Sequence, residues 1–569
     1  MSWIDWTIMS GTILFIVGYG IWKSRGTQDI KGYLLADNDM KWWTIGLSIM
    51  ATQASAITFL STPGQAFDDG MRFVQFYFGV PIAMVLISMV AIPIYKRLNV
   101  FTAYEYLESR FDLKTRSFAA LLFLVSRSLA AGLTIYAPAI ILATILGWDT
   151  GATCVGIGLV VMLYTVAGGT KAVSQTQQQQ MAIILVGMLI AGIVMVFKMP
   201  PDVGFMDAMS MAGSMGKLNA ITTDFDIKDR YNIWSGLIAG TFLALSYFGT
   251  DQSQVQRYLG GKSITESRIG LLFNGLFKVP MQFLILLVGI LLFVFYQFQT
   301  PPMVFNQEER TKVVQSEAGD QYLQLENRFN QLHEEKAARW NEWLDQGDAP
   351  AESRDATLAT IKNLDQESQE IRSQAKEIMA AQDENADTND LDRVFLTFVL
   401  NHLPVGLVGL LIAVILSAAM SSTSAELNAL ASTTVVDVYK RLIKPSASDR
   451  HYLNISRSLT MSWGVLAIIF ALIAGQFENL IEYVNILGSL FYGTILGIFV
   501  TAFFFKRVKG TAVFIAGIIG EITVITCFVL PKIWPEQFAW LDIGFLWFNL
   551  IGCVVVVIMA SLIQLARKE

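Results

Sequence analysis

The chain has 569 residues, of which 53% are hydrophobic and only 15% are charged, and its formal net charge is −6 at pH 7. Soluble domains carry about 25% charged residues, whereas many apolar runs here reach the roughly 20 residues that a bilayer-spanning helix needs. The composition therefore predicts an all-α polytopic membrane protein and argues against a soluble enzyme and against a nucleic-acid-binding protein.

The apolar runs predict thirteen transmembrane helices, and the ninth run is long enough to project beyond the membrane. In chain order the predicted spans are Trp6–Trp22, Trp43–Phe67, Phe73–Tyr95, Ser117–Leu146, Ala152–Val166, Gln180–Phe197, Trp234–Gln254, Gly270–Phe298, Val394–Val436, Thr460–Ala474, Ile481–Phe504, Ala512–Leu530 and Trp540–Leu565.

Lysine and arginine residues mark one side of this predicted topology. They cluster in the loops after the odd-numbered spans. For example, Arg25 follows the first span, Lys96 and Arg97 follow the third, and Lys568 follows the thirteenth. Such an excess of positive charge is typical of cytoplasmic loops. We therefore predict a multi-pass protein of the plasma membrane, the inner membrane of a bacterium, with its N-terminus outside and its C-terminus in the cytoplasm.

A polar, acidic stretch from Thr300 to Asp392 interrupts the apolar pattern. Its apolar residues recur at mostly three- and four-residue steps in two runs, with Gly347 and Pro350 between them. This period is typical of amphipathic helices. We predict an extracytoplasmic helical hairpin that could dock a partner, and a disordered acidic linker is the alternative. The runs are Tyr322, Leu325, Phe329, Leu332, Trp340 and Trp343, then Leu358, Ile361, Leu364, Ile371 and Ile378.

Polar residues interrupt the second span at mid-depth, from Ala51 to Thr58, and Pro63-Gly64 is predicted to end its regularity. A helix that unwinds inside the membrane must satisfy its freed carbonyl groups, and a bound cation can do so. The alternative is an ordinary helix with buried polar side chains.

Small hydroxyl residues crowd the ninth span between Leu416 and Asn428. Ser417, Ser421 and Ser424 would share one face of a helix, because residues three and four apart are neighbours. Such hydroxyl groups either replace the water around a small hard cation or allow helices to pack closely. Glu426 places a carboxylate deep in the same span, where it must be paired, protonated or exposed to water.

Two further features lie in the seventh and eighth spans. Gly249, followed by Thr250 and Asp251, suggests a second helix break. Lys278 stands in an apolar run, and a charged group at such depth is a functional candidate. Its flexible side chain could instead reach the cytoplasmic surface.

Four motifs give the chain its resemblance to a known family. They are Ser421-Ser422 followed by Asn428 and Asp437-Val-Tyr-Lys, then Gly168-Gly-Thr-Lys-Ala-Val173, Gln256-Arg-Tyr-Leu-Gly-Gly-Lys-Ser263 and Tyr104-Glu-Tyr-Leu-Glu-Ser-Arg-Phe111. Together they resemble the sodium/solute symporters of the sodium/glucose cotransporter type. The resemblance covers nearly all spans but not the acidic insert.

This resemblance implies a LeuT-type five-plus-five inverted-repeat core in spans two to eleven, with alternating access. It implies a sodium ion held by backbone carbonyls and two hydroxyls, at Ala51, Ala54, Ala418, Ser421 and Ser422. It also implies a solute pocket with an inner gate at Tyr247. The other implied pocket positions are Gln53, Thr58, Tyr77, Lys278 and Asn485.

The repeats divide the chain into five predicted parts. Residues 1–39 hold a peripheral first helix and a cytoplasmic loop, and residues 40–299 hold the first repeat and the start of the second. Residues 300–392 form the insert. Residues 393–508 complete the second repeat, and residues 509–569 add two peripheral helices.

The chain departs from the family pattern at several positions. Sugar-binding relatives carry a glutamate where Tyr77 stands and a glutamine where Thr58 stands, which argues against a sugar as the solute. Gln177 occupies the place of an aspartate near the sodium site. In some relatives that aspartate and serines at the positions of Ser421, Ser424 and Ala425 bind a second sodium. We therefore predict one sodium per solute, and we hypothesise that Glu426 restores the missing acid.

The sequence thus predicts a sodium-driven symporter, not an enzyme, that imports a small polar solute such as a sugar, polyol, amino acid or carboxylate. No P-loop for ATP is present. The alternative is a non-transporting solute sensor on a transporter fold, although no cytoplasmic output domain is expected after the last span. A passive channel would need a filter-like repeated loop, and the sequence contains none.

Overall fold

The computed structural model describes residues 2–24, 30–347, 350–383, 386, 388, 390–473 and 480–567, and within them the fold is all-helical. The α-helices are α1 Trp3–Ser24, α2 Ile30–Leu35, α3 Trp42–Gln53, α4 Ala56–Asp69, α5 Gly79–Met89, α6 Ala91–Leu98, α7 Ala103–Arg110, α8 Leu113–Leu146, α9 Thr150–Lys198, α10 Phe205–Ser214, α11 Gly240–Gly249, α12 Gln252–Leu259, α13 Ile264–Phe298, α14 Gln307–Val314, α15 Gly319–Asp345, α16 Ala351–Gln382, α17 Leu391–His402, α18 Leu407–Thr433, α19 Asp449–Ile473, α20 Leu480–Phe504, α21 Gly510–Ile533 and α22 Trp547–Ala566. Short 3₁₀ segments lie at Ala36–Asn38, Gly70–Tyr77 and Ala539–Leu541, and π-helical turns at Ser235–Ala239 and Thr434–Ile443.

Nine helical segments of the described chain are long and apolar enough to cross a membrane. Three shorter apolar helices, Trp3–Ile16, Thr150–Leu163 and Ser235–Gly249, accompany them. This pattern supports a multi-pass membrane protein, while the count of thirteen, the orientation and the five-part division remain predictions. Arg25, Lys568 and the end of the tenth span at Ala474 lie outside the described residues.

The predicted ninth span is wrong as a single helix, because the chain breaks between α17 and α18. Leu403 has the extended conformation (ψ 147°) that a residue before proline prefers, and Pro404 cannot donate a helical hydrogen bond. Gly406 then takes φ 92°, a region open mainly to glycine. The helix that carries the hydroxyl residues therefore starts afresh at Leu407.

The predicted break in the second span is confirmed. The expectation that Pro63 and Gly64 end the regular helix is wrong. The chain leaves the helix at Ala54 and Ser55, and Pro63 lies inside α4. Gly64 instead gives the backbone of Leu391 room to approach, since a β-carbon there would collide with it. This glycine therefore allows close helix packing and does not end the helix.

The second predicted helix break is present, and one further irregularity accompanies it. Helix α11 ends at Gly249, and Asp251 caps the start of α12 by accepting a hydrogen bond from the Ser253 amide at 2.9 Å. Gly169, with φ 58° and ψ −170°, interrupts α9 between the predicted fifth and sixth spans.

The insert is a helical hairpin, as predicted, formed by α15 and α16. Most residues of the two apolar stripes are buried between the helices, and Trp340 donates from Nε1 to Gln297 of α13 at 3.2 Å. At the base, Asp390 pairs with Arg372 and Lys376, each at 2.7 Å. Burial raises the pKa of Asp390, but these two cations hold it below its ordinary value. The hairpin is thus anchored to the membrane-embedded helices.

Helix α18 lies at the centre of the bundle, and nearly all its residues are buried. Helix α1 packs against it. The Asp5 carboxylate accepts hydrogen bonds from the Gly406 amide at 2.6 Å and the Gly409 amide at 3.1 Å. A negative charge at a helix N-terminus stabilises that helix, so Asp5 caps α18 from another part of the chain.

Replacing Asp5 with alanine is expected to lower the free energy of unfolding by about 1 kcal/mol, the usual effect of losing an N-terminal cap. Asp5→Asn retains one acceptor oxygen and should lose less. Thermal unfolding of the purified protein measures both. Equal stability of Asp5→Ala and the wild type would show that the contact contributes nothing.

Candidate functional site

A cavity lies beside the break between α3 and α4, enclosed also by side chains of α8, α11, α18 and α20. Five of the six predicted solute positions line it, and they come from four separate parts of the chain. These five are Gln53, Thr58, Tyr77, Tyr247 and Asn485. The structure therefore brings together most of the residues that the sequence placed in one pocket.

The break itself frees backbone carbonyl groups. The last helical bond of α3 runs from the Ala54 amide to the Met50 carbonyl at 2.8 Å. The carbonyl of Ala51 would next accept from Ser55, but Ser55 is extended, with ψ 173°. Helix ends leave such acceptors unsatisfied unless a cap or ligand meets them. Ala51 therefore offers an oxygen for another partner.

The serine hydroxyl groups of α18 between Ser417 and Ser424 fall into two kinds. Ser424 donates to the Ser421 carbonyl at 3.0 Å, as a serine does when it serves only its own helix. Among the described residues, the buried hydroxyl groups of Ser417, Ser421 and Ser422 have no hydrogen-bond partner. Ser422 lines the cavity. Oxygen atoms left without a partner suit a hard cation, which takes oxygen ligands.

Gln177 ties α9 to α3 beside the break. It accepts from the Ser48 hydroxyl and donates from Nε2 to Thr52 at 3.0 Å. Its neutral amide thus takes part in a fixed interhelical link next to Ala51. An uncharged side chain at this place supplies no acid for a second cation.

A buried arginine, absent from the predicted site residues, dominates the electrostatics of the cavity. The side chain of Arg127 is 4% exposed and contacts two carboxylates, those of Asp251 and Glu426, the latter at 3.1 Å. It also donates to the Tyr492 hydroxyl. We call these four side chains the arginine cluster. They connect α8, the start of α12, α18 and α20.

Each acid of the arginine cluster has a second task. Asp251 caps α12, and the other oxygen of Glu426 accepts from the Thr134 hydroxyl at 2.8 Å. Of the three alternatives considered for Glu426, the structure shows the paired one. A signal for Arg127 existed, since it is a charged residue within the predicted fourth span. Its partners lie 124 and 299 residues away in sequence, which no local pattern reveals.

Tyr247, the predicted inner gate, lies directly against the arginine cluster. The guanidinium carbon of Arg127 is 5.4 Å from the centre of the Tyr247 ring, which in turn is 5.9 Å from the Tyr492 ring. Gln254 donates to the Tyr247 hydroxyl at 2.7 Å. These contacts fix the ring at the wall of the cavity.

Lys278 is placed differently from both alternatives considered for it. Its side chain is fully buried, so it does not reach the membrane surface. It does not line the cavity either, because its ammonium nitrogen lies behind Tyr77, 5.3 Å from the centre of that ring. Lys278 therefore does not line this cavity in the structure, and its assignment as a solute-binding residue stays a prediction.

Asp437, from the Asp437-Val-Tyr-Lys motif, belongs to a second ion-pair group at the far end of α18. Arg116 donates from Nε to Asp437 at 2.8 Å and pairs with Glu108 at 2.7 Å. Thr102 also donates to Asp437, at 2.9 Å. These contacts fasten α7 and α8 to the end of α18.

Comparison with known proteins gives the following matches. A family model described as "Sodium:solute symporter family" matches residues 33–318 and 375–520. The human sodium/iodide cotransporter is 31% identical over 299 residues, which are 51% of this chain and 45% of that protein. The sodium/glucose cotransporter of Vibrio parahaemolyticus is 24% identical over 577 residues, covering 99% of this chain and 91% of the relative.

One solved structure matches along nearly the whole chain. It is a Na⁺-coupled sialic acid symporter in a substrate-bound, outward-open state, with a TM-score of 0.76 and 22% sequence identity. The match covers 99% of this chain and 98% of the other. It establishes a shared helical fold. The chain spans less than half of the human relative but most of the bacterial one.

Proposed function

Because the chain belongs to the sodium:solute symporter family, we propose that it is a symporter that imports a small polar solute by alternating access. Sodium is the coupled ion. The observation that carries the proposal is the meeting of the broken helix α3–α4 with Ser422 of α18 at one cavity. Free carbonyls on one side and unpartnered hydroxyls on the other are what a cotransported cation needs.

The proposed sodium ligands are the carbonyls of Ala51, Ala54 and Ala418 and the hydroxyls of Ser421 and Ser422. All five residues are buried. A stoichiometry of one sodium per solute is supported by the neutral amide of Gln177 and by the engagement of Ser424 within its own helix.

The proposed cycle uses the two helix breaks as its moving parts. Sodium joins α18 to the break at Ala54 and so completes the solute cavity. After the outer path closes, sodium leaves to the cytoplasm, where its concentration is low, and Tyr247 moves aside. One charge crossing 100 mV contributes about 2.3 kcal/mol, and a tenfold sodium gradient adds about 1.4 kcal/mol. Together they support solute accumulation on the order of several hundredfold.

The wider architecture follows from the same proposal. Spans two to eleven form a LeuT-type five-plus-five inverted repeat, within thirteen transmembrane helices. The protein lies in the plasma membrane, which is the inner membrane in a bacterium, with its N-terminus outside and the hairpin insert extracytoplasmic. The likeness in fold to a solved sodium-coupled symporter supports this arrangement.

The solute is small and polar, and the three similar proteins described above do not narrow it further. They are named for iodide, glucose and sialic acid, which differ in size, charge and hydrogen-bonding groups. Sugar, polyol, amino acid and carboxylate all remain candidates. A thermal-shift screen of these four classes, with sodium and with potassium in its place, identifies solutes that bind only in sodium.

Uptake by proteoliposomes tests the function. An inward sodium gradient should drive accumulation of a solute found in the screen, and a potassium gradient of equal size should not. A solute sensor would bind the same solute and accumulate none. Binding without sodium-driven uptake would therefore overturn the symporter assignment in favour of a sensor.

Glu426 is proposed to supply the acid that Gln177 lacks, since it shares its helix and its cavity with Ser422. Glu426→Gln should weaken sodium binding on the order of tenfold, because a nearby carboxylate attracts a cation strongly at low dielectric. Sodium titration at several pH values measures the effect. Glu536→Gln, at an exposed site between α21 and α22, is the control. An unchanged sodium affinity and pH dependence would contradict the hypothesis.

A further inference from the structure

Asp390, the residue directly before α17, joins the hairpin insert to that helix. A carboxylate in this position usually caps the helix that follows it, but the Asp390 side chain makes no such bond to the described amides of α17. The carboxylate is fully buried and accepts hydrogen bonds from Arg372 and Lys376 of α16, each at 2.7 Å, and from the Phe305 amide at 3.1 Å. The start of α17 is therefore tied to the hairpin and to the segment that leads into it.

Phe305 extends these contacts to α4, the second half of the broken helix. The centre of its ring lies 6.2 Å from that of Phe67 on α4 and 5.6 Å from that of Tyr296 on α13, edge to face in both pairs. The guanidinium carbon of Arg372 lies 5.5 Å from the centre of the Phe305 ring. Edge-to-face aromatic pairs and a cation near the face of a ring are both favourable contacts. The hairpin, Phe305 and α4 thus form one continuous group of contacts.

Helix α17 also contacts α4 directly, in the half of α4 that is remote from the cavity. The two backbones touch where Gly64 faces the Leu391 carbonyl, since a β-carbon at this glycine would collide with it. At its other end α4 lines the cavity with Ile57 and Thr58, and Thr58 is only 4% exposed. Because α4 is one continuous helix, a shift at its contacts with α17 and Phe305 also moves the cavity wall.

The hairpin can act on α17 as a unit. Its two helices share an apolar cluster that is separate from the main core of the protein and includes Phe329 and Leu332 on α15 and Leu364 and Ile371 on α16. The base of this unit, near the end of α16, is the part that meets Asp390. The family model matches residues up to 318 and resumes at 375, so most of the hairpin lies outside the family pattern.

We propose that the hairpin insert is a clamp on α4, and that Asp390 is the positioning residue through which it acts. While the ion pairs of Asp390 are made, α17 and Phe305 hold α4 in place and keep Thr58 closed to the outside. When these pairs break, α4 is freer to move and the outer path to the cavity opens more often. The inference goes beyond the proposed transport reaction, because it gives the insert a role in controlling access to the cavity.

The accessibility of the cavity wall from outside tests the clamp. Thr58→Cys places a thiol on this wall, and a membrane-impermeant maleimide added to intact cells reports how often that thiol is exposed. The full-length protein is used, with its native cysteines replaced by alanine so that the thiol at position 58 is the only target. The native cysteines are Cys154, Cys527 and Cys553.

Asp390→Asn should speed this labelling on the order of tenfold, because the acceptor of three hydrogen bonds loses its charge and charge-assisted bonds are the stronger kind. Arg372→Gln together with Lys376→Gln should have a similar effect from the side of the hairpin. Adding Asp390→Asn to that pair should change the labelling rate little further, since residues of one network do not act additively.

Arg328→Gln is the matched control. It breaks an exposed ion pair between the same two helices, with Glu367 at 2.7 Å, but it leaves Asp390 untouched. Labelling at the rate of the parent protein is expected for this variant. Hydrogen exchange of α15 and α16 in the purified full-length protein shows whether the hairpin stays folded in each variant.

Two results would overturn the proposal. One is labelling of Asp390→Asn at the parent rate, and the other is full additivity of Asp390→Asn with the two substitutions on α16. Faster labelling together with fast exchange throughout α15 and α16 would overturn it as well, because Asp390 would then only keep the insert folded. All these measurements are made without a solute. Their failure therefore leaves the symporter assignment standing, and sodium-driven uptake remains its separate test.

Discussion

Replacing Ser421 and Ser422 together with alanine is expected to abolish sodium-driven solute accumulation. The change removes two of the five proposed oxygen ligands and leaves three backbone carbonyls. Contacts between a polar group and a charge contribute roughly 1.5–3 kcal/mol each, so the loss of two should weaken sodium binding on the order of a hundredfold or more. Sodium titration of thermal stability and uptake by proteoliposomes measure the two effects.

The control for this double variant is Ser424→Ala. Ser424 lies on the same helix and is equally buried, but its hydroxyl is bonded to the Ser421 carbonyl. The Ser424→Ala substitution should therefore leave the sodium affinity nearly unchanged. Undiminished accumulation by the double serine variant would mean that the hydroxyl groups serve only the packing of helices, and the sodium site would have to lie elsewhere.

Arg127→Met is expected to abolish transport and to destabilise the protein. It leaves Asp251 and Glu426 buried without their cation, and breaking a buried ion pair by removing one partner costs about 3–5 kcal/mol. It also releases Tyr247 and Tyr492, which close the wall of the cavity. Thermal unfolding and uptake report the two consequences. Arg97→Met, at an exposed arginine in the last turn of α6, is the matched control.

A variant without charges in the arginine cluster tests whether Arg127 holds the gate residues in place or only balances the charge of the two acids. Combining Arg127→Met with Asp251→Asn and Glu426→Gln removes every charge from the cluster. Stability should return toward that of the wild type, because no buried charge is left unpaired. Transport should stay absent if Arg127 holds the gate residues. Full recovery of transport in this triple variant would show that the cluster only balances charge.

The two acids around Arg127 come from different helices. Asp251 belongs to the short helix after a break, whereas Glu426 lies on the long helix α18. Arg127 therefore joins these two helices through its two ion pairs.

The sequence by itself determined the features that depend on local pattern. Runs of apolar residues, steps of three and four in the insert, and glycine beside small polar residues predicted the membrane helices, the hairpin and the breaks near Ala54 and Gly249. Each of these follows from forces between residues that are close along the chain. One exception is the ninth span, where the apolar run hid the effect of Pro404 and Gly406.

Only the tertiary structure decided which buried polar groups meet. Arg127 lies 124 residues from Asp251 and 299 residues from Glu426 in sequence, and Lys278 could have faced the cavity, the surface or the interior with the same hydropathy. Pairing of this kind depends on the way in which the long helices pack side by side. An apolar helix can satisfy its local pattern in many rotations and with many neighbours, and the packing of these helices is what pairs Arg127 with its two acids.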